Sequence, residues 1–190
     1  MITIVGAGAL GSHVALVLRN MKQGLTICDF DRIDSHNMRA QFLGRMGVGK
    51  NKAQSLSQSL YGMFGVKTVF IPHKLAKDNV STVLANSELV IDCTDNLAAR
   101  QVIQQYCRTS GLPCLHGALS ADGTFARVIW SELFVPDSEG TAGEATCVDG
   151  EHLPFFVLVA SYVALEAQRF LQTAKKWSLQ ITPAGVIRLA

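Results

Sequence analysis

Four β-formers, Ile2, Thr3, Ile4 and Val5, run straight into Gly6-Ala7-Gly8-Ala9-Leu10-Gly11, and helical spacing begins at once behind them. That order predicts a strand, a tight glycine turn and a helix start. The first glycine admits the turn, the second lets a ligand phosphate approach the backbone, and Gly11 lets helix and strand pack closely. Unpaired N–H groups and the positive end of the helix dipole then gather around Gly6, Gly8, Ala9, Leu10 and Gly11, which suits an anion. A nucleotide is the expected ligand. Small residues that merely close a βα turn are the alternative.

What else the chain can be is narrowed by its make-up. With 190 residues, 48% hydrophobic and 17% charged, it reads as a single α/β domain over 1–190 with enough chain to bury a core. A net charge of +2 and a pI near 8.3 lack the basic excess of a nucleic-acid binder, and no Lys/Arg cluster alternates with aromatics. The most apolar stretch, 154–165, is too short to cross a bilayer and holds Ser161 and Tyr162, so it reads as a buried helix and no membrane partner is expected. With no secretory leader before the first strand, a cytoplasmic setting is expected. Cysteines at 28, 93, 107, 114 and 147 form no CxxC pair, so neither zinc nor a disulfide framework is expected.

In chain order, a first helix is expected over 9–21 and a second strand over 25–28, closing on Asp29-Phe30-Asp31. Asp29 stands eighteen residues after Gly11, near the distance at which an acidic residue meets a nucleotide's ribose hydroxyls; capping a loop is its other reading. Residues 32–49 then form a polar insertion, and Val48-Gly49-Lys50-Asn51-Lys52 opens a helix reaching about Leu60. Lysines at a helix start oppose the dipole unless an anion sits there, so Lys50 and Lys52 face polyphosphate or are simply solvated.

A third strand is expected over 66–71, a helix over 78–86, and a buried fourth strand over 88–92 that ends in Asp92-Cys93-Thr94-Asp95-Asn96. Asp95, at the start of a helix over 97–109, is either an N-cap or a magnesium ligand beside the phosphates. A fifth strand over 113–116 leads to a hairpin turned at 121–123 and returning over 124–130, where the parallel pattern ends. His116 closes a buried strand and reads as a satisfied core residue. A polar loop over 131–150, a buried helix over 153–173 and a hairpin of 177–181 with 185–189 complete a Rossmann-like α/β/α fold, mostly parallel with antiparallel C-terminal strands.

The order GAGALGS, DFDRID, HNMRAQFL, VGKNKA, DCTDNLAAR, PCLHGALSADG and TCVDG before a buried helix resembles the ThiF/MoeB family of ubiquitin-activating-type adenylyltransferases across nearly the whole chain. The resemblance implies a domain that binds ATP with Mg2+ and adenylates the C-terminal glycine carboxylate of a ubiquitin-like or sulfur-carrier protein ending in Gly-Gly. It also implies a homodimer and capture of the acyl adenylate by a thiol. By position, Asp29 would hold the ribose and Asp31 and Gln41 would join the nucleotide contacts. Asn37 and Lys52 would meet the phosphates, and Asp95 with Asn96 the magnesium.

Two positions depart from the family. Its Asn-x-x-Arg-Gln pattern meets Ala40 where arginine belongs, and Arg39 is expected to reach the phosphates in its place. Cys147 matches the position of an acyl-accepting thiol, or is a loop cysteine without chemistry. A non-catalytic subunit that binds a ubiquitin-like protein is the second function class. A nicotinamide-dependent oxidoreductase is the third, disfavoured because it has no use for Lys52 or a metal carboxylate at Asp95.

Overall fold

The computed structural model describes residues 1–120, 122–135 and 150–189, without the side chain of Asn37. β1 (Ile2–Val5), β2 (Leu25–Cys28), β3 (Val69–Ile71), β4 (Leu89–Asp92) and β5 (Cys114–Leu119) are parallel. β6 (Ala126–Trp130), β7 (Ser178–Thr182) and β8 (Gly185–Leu189) continue the sheet antiparallel, giving the order β3-β2-β1-β4-β5-β6-β7-β8. The expected fold is present: a Rossmann-like α/β arrangement with antiparallel C-terminal strands.

Strand periodicity builds the layers. Ile2 and Ile4, with Leu25, Ile27, Leu89 and Ile91, pack on one side of the sheet into the larger core. There α1 (Ala9–Leu18), α2 (Lys52–Phe64) and α5 (Leu153–Thr173) cover them. Val5, Cys28, Val90 and Cys114 point to the other side, under α3 (Val80–Leu84) and α4 (Leu97–Ser110). Strand order reverses between β1 and β4, and open α/β sheets place their ligands outside the strand carboxyl ends at such a switch point.

Several expected boundaries shift. The first helix stops at Leu18, where Met21 N–H bonds the Leu18 carbonyl and the chain turns through Gly24. The third strand keeps only Val69–Ile71, while β5 runs on to Leu119 because β6 pairs along it. α5 has the expected span, but only one of its faces is covered. Phe156, Val159, Ala160, Val163 and Ala167 are buried, whereas Leu158 and Leu165 are 39% and 50% exposed, with nothing among the described residues covering them. By length and composition α5 could cross a membrane, yet 44% of its most apolar part is buried, where it packs against the sheet.

At the β5–β6 turn the Asp122 carboxylate accepts the Ser120 hydroxyl at 2.6 Å and Thr124 N–H at 3.1 Å. Those donors favour the anion and hold its pKa down to about 2. An acid whose folded pKa is depressed stabilises the fold above its unfolded value, and that contribution fades as pH falls toward the folded one. Carboxyl NMR titration should place Asp122 well below an ordinary aspartate, and Ser120→Ala should raise it. An unshifted Asp122 would show that the turn does not hold this geometry.

Candidate nucleotide cleft

At the switch point the glycine turn is forced by its neighbours. Gly6 has φ +93°, and a Cβ there would lie 2.8 Å from the Cys93 carbonyl oxygen, so the ends of β1 and β4 meet without room for a side chain. Gly8 differs: a Cβ built on it meets nothing within 4 Å, and its φ of −75° is open to any residue. The protein itself has no need for glycine at that position, so the open space in front of it is what a ligand would fill.

Gly6 and Gly8 line a cleft of about 180 Å³ together with Asp29, Asp31, Lys52, Thr94, Asp95 and Asn96. Phe30, Leu75, Cys28 and Val5 add apolar wall, and His73 and Lys74 add polar groups from the loop after β3. Seven residues expected from the sequence (Gly6, Gly8, Asp29, Asp31, Lys52, Asp95 and Asn96) therefore come together although they span ninety positions of chain.

Asp29 ends β2 almost buried. Its Oδ2 accepts Ala7 N–H at 2.6 Å and its Oδ1 accepts Asp31 N–H at 2.8 Å, which ties the glycine turn to the second strand. Burial pushes its carboxyl above the ordinary range, against those N–H groups and the Lys52 ammonium, which pull it down. Each oxygen keeps a lone pair for a further donor.

The insertion is zipped at its base. Ile33 N–H bonds the Lys50 carbonyl, Gly49 N–H bonds the Ile33 carbonyl, and Lys52 N–H bonds the Asp31 carbonyl at 2.8 Å. Asn51 caps α2 by accepting Gln54 N–H, while its amide donates to the carbonyls of Asp29 and Asp31. This brings the start of α2 beside the cleft. Lys52 is 7% exposed, and its ammonium lies 3.1 Å from Asp31 Oδ2. The anion that a lysine at this helix start requires is thus supplied by the chain itself, and a phosphate would share or replace it. Lys50 is solvent-exposed.

At the other wall Asn96, not Asp95, caps α4, its Oδ1 accepting Ala99 N–H at 3.1 Å. Capping therefore does not compete for the exposed Asp95 carboxylate, whereas Asn96 already spends its oxygen on the helix. Among the described residues no three His, Cys, Asp or Glu gather as a metal cluster. Magnesium does not need one, since it is held by one or two carboxylates plus substrate phosphates. The Asp95 carboxylate, exposed and with no hydrogen-bond or ion-pair partner among the described residues, lines the cleft with Gly8 and fits that donor set.

Other expected residues are not brought here. Arg39 ends a 3-10 turn over Ser35–Arg39, is solvent-exposed, and does not line the cleft; Gly150 packs directly against its backbone. Gln41 lies outside the cleft lining, with a buried Oε1 that has no partner among the described residues. Ala9, Leu10 and Gly11 form the first turn of α1 behind the loop. The Asn37 side chain and Cys147 lie outside the described residues. Burial raises the thiols of Cys93 and Cys114, and that of Cys28 to about 12, so none of these three is activated. The sequence reading missed His73 and Lys74, which only the adjacency of β3 and β2 brings near the glycine turn.

Fold and cleft together define a Rossmann-like α/β domain whose cleft at the switch point has an acidic, lysine-bearing mouth. The chain belongs to the ThiF family, whose model matches residues 1–183. It is 37% identical over 179 residues to an adenylyltransferase and sulfurtransferase MOCS3 of Caenorhabditis briggsae, covering 88% of this chain and 44% of that protein. To the molybdopterin-synthase adenylyltransferase of Salmonella typhimurium it is 31% identical over 185 residues, covering 90% and 72%. To the SAMP-activating enzyme E1 of Haloferax volcanii it is 31% identical over 121 residues, covering 62% and 45%. The crystal structure of E. coli MccB with ATP matches with a TM-score of 0.75 at 18% identity, covering 99% of this chain and 62% of that one, a likeness of fold. The chain spans about half the length of the first of these curated relatives.

Proposed function

We propose that this chain uses MgATP to adenylate the C-terminal glycine carboxylate of a ubiquitin-like or sulfur-carrier protein. The observation that carries this reading is Gly8: a glycine the fold does not require, facing open space between a buried lysine and an exposed aspartate. In the reaction a carboxylate oxygen attacks the α-phosphorus, the bond to the β-phosphate oxygen breaks, and pyrophosphate leaves. No general base is called for, because the carboxylate is already ionised at neutral pH. The chain's task is alignment and charge neutralisation. Asp29 would accept the ribose hydroxyls, Phe30 and Leu75 would flank the base, and the turn at Gly6 and Gly8 with Lys52 would face the phosphates. Asp95 would hold magnesium, which when bound spreads the charge of the phosphate oxygens.

The exposed Leu158 and Leu165 on α5, with Val17 43% exposed on the α1 that packs beside it, support a second copy of the chain as the dimer partner. Cys147 is the proposed acceptor of the acyl group. Arg39, exposed and away from the cleft, favours the second reading, a carrier-binding subunit without catalysis.

The deciding experiment is ATP–pyrophosphate exchange with β-grasp carriers ending in Gly-Gly. Exchange that depends on the carrier and on magnesium is expected. In Asp95→Ala the magnesium needed for half-maximal exchange should rise by on the order of tenfold with the fold intact. Carrier binding without exchange would establish the subunit reading, and tight NAD binding with ATP ignored would overturn both.

A further inference from the structure

β4 and β5 lie side by side in parallel, and their register sets Asp92 against His116. Both are 1% exposed, so neither meets water and each must be satisfied within the protein. His116 Nδ1 lies 2.8 Å from Asp92 Oδ2, and a carboxylate can only accept, so the ring donates from Nδ1. Its Nε2 stands 3.5 Å from Cys114 Sγ, and the Phe134 ring stacks on it at 4.0 Å with 6° between the planes. Three contacts therefore leave the imidazole one orientation.

The other oxygen of Asp92 holds the turn that follows β4. Oδ1 accepts Thr94 N–H at 2.9 Å and the Thr94 hydroxyl at 2.7 Å. From α4, Arg100 donates Nε and Nη2 to the Thr94 carbonyl at 2.9 and 2.6 Å, and its guanidinium sits 6.0 Å from the centre of the same Phe134 ring. The network closes on itself: His116, Asp92, Thr94, Arg100, Phe134 and back to His116. Every polar group of Thr94 is bound, and the next residue is Asp95, which is exposed and lines the cleft.

We infer that His116 is a positioning residue for the nucleotide cleft, acting through Asp92 and Thr94 to fix where Asp95 presents its carboxylate. The inference rests on the reading of this cleft as a MgATP site. His116 touches no ligand itself. Without its donor, one oxygen of a buried carboxylate loses its partner, and the Asp92 carboxylate is no longer held in the one orientation from which it fixes Thr94.

The test is calorimetric binding of a non-hydrolysable ATP analogue, with magnesium and again in EDTA, to the parent chain, His116→Leu and His116→Asn. The asparagine amide nitrogen superposes on Nδ1 and keeps the donor. His116→Leu should bind the analogue about tenfold more weakly than the parent in magnesium, the usual scale for losing a partner that orients a ligand group, and no more weakly in EDTA. His116→Asn should recover most of the loss. Equal affinity of parent and His116→Leu in magnesium, equal weakening with and without magnesium, or an Asn variant no better than Leu would each overturn the inference. If the leucine variant does not fold, His116→Gln, which carries its donor at the Nε2 position, takes its place with the same expected loss. A parent that binds the analogue but exchanges no pyrophosphate with any carrier overturns the adenylation reading alone, and one that binds no nucleotide overturns both.

Discussion

Lys52→Ala should slow carrier-dependent pyrophosphate exchange by on the order of a hundredfold, about 3 kcal/mol of transition-state stabilisation, because one charged contact to the reacting phosphates is worth that much in a dry site. The ammonium is well placed for the role: it is 7% exposed and sits on the first turn of a helix whose start is pinned to Asp29 and Asp31 by Asn51. The fold should tolerate the change. Asp31, left without its partner, has a side chain 47% exposed and can be solvated, so the lost pair costs at most about 1 kcal/mol. That corresponds to a fall in melting temperature of about 2–4 °C for a chain of this size. Exchange at the parent rate would show that Lys52 is only Asp31's counter-ion. A collapse in melting temperature with it would make the lysine a structural pin.

The contrast between Lys52 and Arg39 shows what the sequence could and could not convey. The family resemblance places both by position, and only Lys52 lines the cleft. Lys52 follows a helix cap, Asn51, whose side chain reaches back across twenty residues to the end of β2, and a tertiary link of that kind leaves no periodic trace. Arg39 lies on a 3-10 turn that packs on Gly150, a residue more than a hundred positions away, and that close approach leaves no periodic trace either. Strands and long helices were legible because burial imposes a period: β2 and α5 fall where apolar spacing puts them. Asp95 was ambiguous for a different reason. Asp and Asn both cap helices, and adjacent candidates separate only when one oxygen is seen to take the N–H, as Asn96 does. His73 and Lys74 follow a short strand with exposed side chains, and only its pairing with β2 marks that loop as part of the cleft wall.

The glycine turn offers a pair of substitutions that separate folding from binding. In Gly11→Ala the new Cβ would stand 1.8 Å from the Gly6 carbonyl oxygen and 2.9 Å from its carbon. Both are backbone atoms and cannot rotate aside, so α1 must lift from β1 and the turn must open. Overpacking usually costs about 1–3 kcal/mol, and a backbone clash this close belongs at or above the top of that range. A melting temperature lower by about 10 °C, or failure to fold, is the expected result. Gly8→Ala should do the opposite. Its Cβ enters empty space at an ordinary φ, and the entropy removed from the unfolded chain offsets the poorer helix cap to within about 1 kcal/mol. The methyl group then occupies the place a phosphate would take, so ATP affinity should be lost from a protein as stable as its parent. Calorimetry with ATP and thermal melts of the two variants read both effects. A Gly8→Ala protein that still binds ATP at parent affinity would mean that the ligand does not approach this turn. A Gly11→Ala protein as stable as the parent would mean that α1 does not pack against the turn as closely as 1.8 Å implies.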